Sequence, residues 1–417
     1  MHHCSLLIAF LFCLDRATWL EGAGVHNWSS IFNQKPSKNW VVLVAGSNTW
    51  ENYRHQANVY HAYQVVRKNK VPAENIITFA YDDIANNPKN PFKGEVFHDY
   101  EHEDVYKGVV IDYRGKDVKP DIFVKVLEGD KNLEKEGKNV LKSGPDDNVF
   151  IYYTGHGAPH YITFPEGSLA ATELNGILVK MHTNKKYNKL VIYMDCCYSG
   201  SMFRGILSPD VGMIHVFSCV TPPTEKTAVF VTTSAKENEE SWSINCNDKR
   251  VGVCLATEYS YGWITDSEYK DLKKRTLYQQ YDEVKRRTKY SNVMRYGDME
   301  MGRLPVGKFQ GHYDLLTHRN DVAISPNVVD IKPSSRVHLS SMSRRLMEAA
   351  TEEEHETAGR NLHRALQLGH IVKETFHDIV MDVTTHHKPK GLPKRDEVIC
   401  FEAVFDQFQT HCFTIQQ

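Results

Sequence analysis

Five short runs of apolar and β-branched residues alternate with helical patterns between residues 40 and 233. The predicted strands are Trp40–Gly46, Asn75–Tyr81, Val149–Thr154, Leu190–Met194 and Ala228–Thr233. The predicted helices between them are Tyr53–Lys68, Asp121–Leu127 and Thr172–His182. Runs that are apolar on both faces belong in a sheet covered on both sides, and strand–helix–strand alternation favours parallel pairing. The sequence therefore predicts an α/β fold with a mainly parallel sheet flanked by helices.

Two further segments have patterns of their own. Gly108–Val118 predicts a β-hairpin that turns at Arg114-Gly115. Residues 312–341 contain prolines and five serines without periodicity, which is typical of a linker. Apolar residues then recur at helical spacing from Arg344 to Val383, which predicts a helical domain over residues 342–417.

The N-terminus carries an apolar run, Ser5–Leu14, of ten residues. A membrane-spanning helix needs about 20 residues, so this run indicates a signal peptide over residues 1–24. Asn27 begins an Asn-Trp-Ser glycosylation acceptor, which agrees with the secretory route. We therefore expect a secreted or endolysosomal protein without a membrane span.

Charge and cysteine content narrow the functional classes. Lys plus Arg total 50 and Asp plus Glu 52, so the chain lacks the basic excess of a nucleic-acid binder. Two of the nine cysteines leave with the signal peptide, and the odd remainder suggests one free thiol. Cys246 and Cys254 lie close enough in sequence to close a loop, and Cys400 and Cys412 are a second candidate pair. No metal site and no cofactor are expected, because paired C-x-x-C motifs are absent.

A histidine and a cysteine follow the ends of two predicted strands. His156 lies between two glycines after Val149–Thr154, and Asp195-Cys196-Cys197 follows Leu190–Met194. Active sites of open α/β sheets form at the carboxyl ends of the strands. An imidazole there can take the proton of a thiol, and an adjacent glycine lets a backbone N–H point at an oxyanion. The pattern predicts nucleophilic catalysis by a Cys–His pair.

The chain resembles the legumains, the asparaginyl endopeptidases among the caspase-like cysteine peptidases, and especially the haemoglobinase-type legumains of blood-feeding flatworms. The resemblance is strong over residues 39–310 and weaker in the tail. The motifs that carry it are Trp40–Ser47, Asn52–Ala57, Tyr81–Ala85, Tyr106–Tyr113, His156-Gly157 and Ser199–Met202.

The resemblance implies a caspase-like fold and a set of catalytic roles. Cys197 matches the family's nucleophile and His156 its base, with Asn52 positioning the histidine. The backbone N–H groups of Gly157 and Cys197 would form the oxyanion hole. Cys196 stands where the family usually has alanine, so we expect it to be a packed neighbour.

The same resemblance implies a pocket for asparagine whose acidic side departs from the family pattern. A carboxamide needs a donor for its oxygen and an acceptor for its NH₂. Arg54 and His55 match the basic side. The acidic side has Asp195 for the usual glutamate, Glu240 beside Ser241 for a usual serine, and Thr257 for a usual aspartate. These departures leave asparagine specificity open. Outside the pocket, Gly155 stands where the family usually has an aspartate before the histidine.

The family organisation implies a zymogen. It would comprise a short pro-segment over 25–38, a catalytic domain over 39–311, an activation peptide over 312–341 and an inhibitory C-terminal prodomain over 342–417. Self-cleavage is expected after Asn320 or Asn327 at acidic pH, once the acid-rich tail no longer pairs with basic groups such as Arg54. Expected partners are protein substrates such as ingested globin, the chain's own prodomain and cystatin-type inhibitors.

Two other functions remain open on the sequence alone. A transamidase or peptide ligase would use the same framework with an amine as acyl acceptor. A catalytically impaired secreted pseudo-protease is favoured by the altered pocket and by an insertion near Val211–Pro223, and opposed by the intact Cys197 and His156.

Overall fold

The computed structural model describes residues 37–205, 207, 228–312, 330–386 and 394–411. Several sequence predictions lie outside these residues. They are the signal peptide with most of the pro-segment, the acceptor Asn27, the insertion near Val211–Pro223, the cleavage sites Asn320 and Asn327, and the Cys400–Cys412 pair through its second member.

The described residues contain twelve strands and ten α-helices. The strands are β1 Asn39–Ala45, β2 Ile76–Phe79, β3 Asn148–Thr154, β4 Gly157–Ala158, β5 Tyr161–Thr163, β6 Ser168–Ala170, β7 Lys189–Asp195, β8 Val229–Thr233, β9 Trp242–Ile244, β10 Ala256–Thr257, β11 Met294–Gly297 and β12 Lys332–Pro333. The helices are α1 Tyr53–Lys68, α2 Pro120–Glu128, α3 Lys131–Lys135, α4 Ala171–Thr183, α5 Glu258–Tyr269, α6 Leu277–Arg287, α7 Gly307–Gln310, α8 Val337–Glu348, α9 Glu352–His386 and α10 Lys394–His411.

The central sheet has the order β2-β1-β3-β7-β8-β11. Its first five strands are parallel and β11 is antiparallel to β8. The five predicted strands and three predicted helices are all present, with ends shifted by one or two residues. The predicted α/β class, a mainly parallel sheet with flanking helices followed by C-terminal helices, is confirmed.

Alternate residues of the sheet point into two separate cores. On β1, Val41 and Leu43 belong to the core shared with α1, α5 and α6, whereas Val42 and Val44 belong to the core shared with α2 and α4. All four side chains are fully buried. Each such burial contributes about 1.5–3 kcal/mol, so a strand apolar on both faces is held in the middle of the sheet.

The hairpin predicted over Gly108–Val118 is wrong. This segment runs along the edge strand β2 instead of pairing with itself. Phe79 bridges Tyr113 in the parallel sense, and the Ala80 N–H donates to the Tyr113 carbonyl at 3.1 Å. The Tyr113 ring also stacks on Phe79 at 4.4 Å between centroids. The exposed backbone groups of an edge strand therefore take the bonds that a local hairpin would have made.

The tail begins earlier than its sequence pattern indicates. Strand β12 and the first residues of α8 both lie inside the range predicted to be a linker, and β12 pairs antiparallel with β9. The predicted helical segment is present but divides into α8 and α9 between residues 348 and 352. The described residues from Asn39 onward form one compact unit. Strand β12 and helix α8 are therefore part of the structure around the sheet.

The structure also bears on the predicted disulfide and on membrane-spanning helices. Cys246 and Cys254 form the predicted disulfide. Among the helices of the described residues, none is long and apolar enough to cross a bilayer.

Candidate active site

Strands β3 and β7 deliver His156 and Cys197 to the same edge of the sheet. Thr154 and Asp195 are register partners, and the Gly155 N–H donates to the Asp195 carbonyl at 3.1 Å. His156 and Cys197 each follow two residues later, on neighbouring strands that lie about 4.8 Å apart. The sheet register thus places the two predicted catalytic residues side by side.

Gly157 allows this close approach. A Cβ atom at position 157 would collide with the Cys197 carbonyl oxygen and with Cys196 Sγ. Any larger residue would push β4 away from the turn that carries Cys197. The glycine after His156 is therefore a steric requirement of the site.

The orientation of His156 is set by Asn52. His156 Nε2 lies 2.9 Å from Asn52 Oδ1, an atom that only accepts hydrogen bonds. Nε2 must therefore carry the hydrogen, and Nδ1 keeps the lone pair that can receive a proton. The ring of His55 packs edge-on against His156 at 5.0 Å, while its own Nδ1 lies 2.7 Å from Ser47 Oγ. His55 is thus buried and supports the His156 ring.

Electrostatics keep the pair uncharged in this conformation. Burial, together with the charges of Arg54 and His338, lowers the pKa of His156 to about 3. Burial raises the pKa of the Cys197 thiol, although hydrogen bonds from Ser241 act to lower it. At mildly acidic to neutral pH the thiol is protonated and the imidazole is neutral. The thiolate–imidazolium pair is therefore not formed in this buried conformation.

The two neighbouring thiols have different surroundings. Cys197 Sγ lies 3.7 Å from Ser241 Oγ. Cys196 is fully buried among the core side chains below the sheet edge, and burial raises its pKa well above the ordinary value. Both thiols are free. This arrangement agrees with the expectation that Cys196 is a packed neighbour.

Arg54 is buried beside the thiol, with 1% of its surface exposed. Its Nη1 donates to the Glu51 carbonyl at 3.1 Å, and its Nη2 donates to the Ser334 carbonyl at 3.2 Å. Its Nε has no hydrogen-bond partner in the described part of the chain. Burial lowers the pKa of Arg54 to about 10, although the charges of Cys197 and Asp195 oppose that change. The guanidinium remains a cation whose Nε donor is unused.

Asp195 provides a complementary acceptor. Its Oδ2 accepts hydrogen bonds from the Thr257 and Ser260 hydroxyl groups. Its Oδ1 is buried and, among the described residues, has no partner. Burial raises the pKa of this carboxyl, while the hydroxyl donors and the Arg54 charge lower it. The structure therefore brings the predicted pocket residues Arg54 and Asp195 to the same buried region.

Glu240 and Ser241 lie on the segment that leads into β9. Ser241 contacts the thiol directly, whereas Glu240 is half-buried and accepts from the Ser335 hydroxyl at 2.8 Å. The charge of Glu240 acts to raise the pKa of Cys197. Thr257, which stands for a usual aspartate, hydrogen-bonds to Asp195 instead of supplying a charge.

Sequence reasoning missed residues 330–348, here called the covering segment. It consists of Asp330, β12, the turn over 334–336 and helix α8. The Ser334 N–H donates to the Ser241 carbonyl at 3.0 Å, and the Ser334 carbonyl accepts from Arg54. No local pattern marks Ser334, because its contacts come from residues about 90 and 280 positions away.

The predicted pairing of Arg54 with acidic groups of the tail is wrong. Arg54 donates to backbone oxygens and to Asn52. In the acidic run at the start of α9, Glu354 accepts from the Ala350 and Thr351 N–H groups, and Glu356 pairs with Arg360. The run therefore stabilises its own helix N-terminus, where negative charge is favoured.

Comparison with known proteins identifies the family. The model of the Peptidase C13 family matches residues 39–312. The chain belongs to the Peptidase C13 family. Among relatives of this C13 peptidase, Hemoglobinase of Schistosoma japonicum is 43% identical over 91% of the chain and 85% of the relative. Legumain of Mus musculus is 38% identical over 90% of the chain and 84% of the relative.

The resemblance to the legumains is thereby confirmed. The C13 peptidase is a cysteine endopeptidase that acts on proteins, and neither the ligase nor the pseudo-protease reading is favoured. A solved structure, Caspase-1 from Spodoptera frugiperda, also aligns, at a TM-score of 0.37 and 7% identity over 67% of this chain and 93% of that one.

Proposed function

We propose that this C13 peptidase hydrolyses the peptide bond that follows an asparagine residue. The observation that carries the proposal is a pair of unused polar atoms, Arg54 Nε and Asp195 Oδ1. One is a buried donor and the other a buried acceptor, and leaving either unpaired costs about 1–3 kcal/mol. A carboxamide supplies the opposite role to each, because its oxygen accepts and its NH₂ donates.

The same pocket makes aspartate a weak substrate at acidic pH. An ionised aspartate would put a second carboxylate beside Asp195 and leave no donor for Oδ1. A protonated aspartate has a carbonyl oxygen and an O–H donor, as a carboxamide has an oxygen and an N–H donor. Cleavage after aspartate should therefore need acid, when either carboxyl is neutral.

The catalytic steps follow from the geometry of His156 and Cys197. Nδ1 of His156 takes the thiol proton, and Cys197 Sγ attacks the backbone carbonyl carbon of the asparagine, which becomes a thioester when the C–N bond to the next residue breaks. The N–H groups of Gly157 and Cys197 stabilise the oxyanion. The imidazolium then protonates the leaving amine, and water, activated by the neutral imidazole, hydrolyses the thioester. Globin is a proposed natural substrate, by analogy with the relative named Hemoglobinase.

We propose further that the intact chain is a zymogen held inactive by the covering segment. Strand β12 pairs with β9 beside the thiol, and the Ser334 carbonyl oxygen accepts a hydrogen bond from Arg54 Nη2. Helix α8 places His338 where any charge that it acquires lowers the pKa of His156. Release of the segment would free Arg54 and restore the hydration that a thiolate–imidazolium pair needs.

Acidification would drive this release in a lysosome or an acidic gut lumen. Burial and the Arg54 charge lower the pKa of His338, so the covered form binds fewer protons than the released one. Below the ordinary histidine pKa of about 6.5, protons therefore favour the released form. Self-cleavage after Asn320 or Asn327 would make the change irreversible.

The test is a cleavage map of denatured globin. The chain is first incubated at about pH 4.5, and the fragments are identified by mass spectrometry. We expect most cuts after asparagine, and loss of that preference in Arg54→Ala but not in Arg67→Ala. Arg67 lies on the same helix and donates to the Val71 carbonyl. Cuts spread over many residue types in the parent enzyme would overturn the proposed specificity.

A further inference from the structure

A pair of histidines lies at a cavity outside the catalytic site. The cavity, of about 550 Å³, is lined by His61, His98 and Glu268 among others. His61 Nδ1 lies 2.8 Å from His98 Nδ1, and His61 Nε2 lies 3.3 Å from Glu268 Oε2. His98 is 2% exposed. The catalytic steps described above use none of these three side chains.

Hydrogen bonds connect this pair to the asparagine pocket. His98 Nε2 lies 2.7 Å from Asn58 Oδ1, and Asn58 Nδ2 donates to Thr257 Oγ1 at 2.7 Å. The Thr257 hydroxyl donates in turn to Asp195 Oδ2. Asn58 and Thr257 are both buried. One continuous chain of hydrogen bonds thus runs from His61 to the carboxylate of Asp195, two residues before Cys197.

The direction of every bond in this chain is determined. Asn58 Nδ2 donates to two hydroxyl oxygens, those of Thr257 and Thr154, so its Oδ1 is the acceptor. The Thr257 N–H also donates to that Oδ1, at 3.3 Å. His98 Nε2 must therefore carry a hydrogen. Neutral His98 then accepts at Nδ1, and His61 must donate there.

The Glu268 end of this hydrogen-bond chain requires the same donor-to-acceptor direction. Glu268 is ionised: burial would raise its pKa, but the hydrogen bond and charge of His61, with those of Lys68, lower it to about 2. A carboxylate oxygen accepts, so the contact with Glu268 calls for a hydrogen on His61 Nε2. Burial, followed by the charge of His61, lowers the pKa of His98 and keeps it neutral.

We propose that His98 is a positioning residue for asparagine recognition, which acts through Asn58 and Thr257 to hold Asp195 in place. This inference rests on the proposed function of the pocket. The Thr257 hydroxyl has one hydrogen. It donates that hydrogen to Asp195 because its lone pair is engaged by Asn58. With the opposite tautomer of His98, the Asn58 amide would turn over and the Thr257 hydrogen would go to Asn58. Asp195 would then lose a donor and its fixed orientation.

The test compares two substitutions of His98 in the acid-treated full chain. Glutamine can still donate from its amide to Asn58, whereas leucine cannot donate. We expect His98→Leu to raise KM for an Ala-Ala-Asn fluorogenic peptide about tenfold with little change in kcat, and His98→Gln to stay within about twofold of the parent. His102→Gln is the matched control, because His102 lies on the same loop but pairs with Asp248.

Two outcomes would overturn the inference. One is parent-like KM in a folded His98→Leu variant. The other is an equal rise in His98→Gln and His98→Leu, which would indicate a packing role. If His98→Leu does not fold, Thr257→Val removes only the hydroxyl and must raise KM in the same way. A parent enzyme without preference for asparagine over alanine would instead overturn the proposed function, and the inference with it.

Discussion

Val337 offers the sharpest test of the proposal that the covering segment closes the site. Its side chain is 3% exposed and packs against the Cys246–Cys254 disulfide at the start of α8. Val337→Ala removes two methyl groups without harming a helix start. The lost burial and the small cavity cost about 2 kcal/mol, which is about thirtyfold in the equilibrium between covered and open forms.

The assay is the rate at which a thiol-reactive probe labels Cys197 near pH 7. Asn320→Gln and Asn327→Gln are included to keep the chain intact. When opening and closing are fast, the labelling rate is proportional to the open fraction, so Val337→Ala should be labelled about thirtyfold faster. Arg345→Ala, which breaks a half-exposed ion pair with Glu51, should give no more than about fivefold.

Val284→Ala is the matched control, since Val284 is equally buried but packs against Gly262 in the sheet-covering helices. It should lower the melting temperature without changing the labelling rate. A folded Val337→Ala variant that is labelled at the parent rate would show that α8 does not limit access to Cys197.

Three further predictions follow from the site. His156→Ala should lower kcat at least about a hundredfold, the usual scale for a lost general base, and near-normal turnover would remove His156 from the mechanism. Arg54→Ala should raise KM for asparagine peptides more than for alanine peptides, as steady-state kinetics will show. His338→Gln should reduce, without abolishing, the increase in Cys197 labelling between about pH 7 and pH 5, because one of the histidines whose pKa is lowered in the covered form has been removed while His156 remains. An unchanged pH profile in His338→Gln would assign the acid response to other groups.

The central sheet and the catalytic pair could be predicted because both depend on local pattern. A run such as Leu190–Met194 is apolar on both faces and short, with β-branched and aromatic residues, which favours a buried strand. The rule that active sites form at the carboxyl ends of parallel strands then brings His156 and Cys197 together. The register of β3 with β7 pairs Thr154 with Asp195, and so sets the positions of His156 and Cys197 two residues further on.

The covering segment could not be predicted, because its structure comes from distant partners. Strand β12 has two residues, too few for any periodicity, and forms only because β9 offers a free edge. The hairpin predicted over Gly108–Val118 fails for the same reason, since the edge of β2 competes for its backbone groups. Asn58 was within reach of sequence reasoning, because it lies one helical turn after Arg54 and so shares its face.

The most direct test of the central claim is the position of a covalent label. The acid-treated chain is incubated with an Ala-Ala-Asn chloromethyl ketone and, in parallel, with its Ala-Ala-Ala counterpart, and the modified cysteine is mapped by peptide mass spectrometry. We predict a single thioether at Cys197, formed much faster with the asparagine reagent and absent from Cys197→Ala. A label on Cys196, or equal rates with the two reagents, would contradict it.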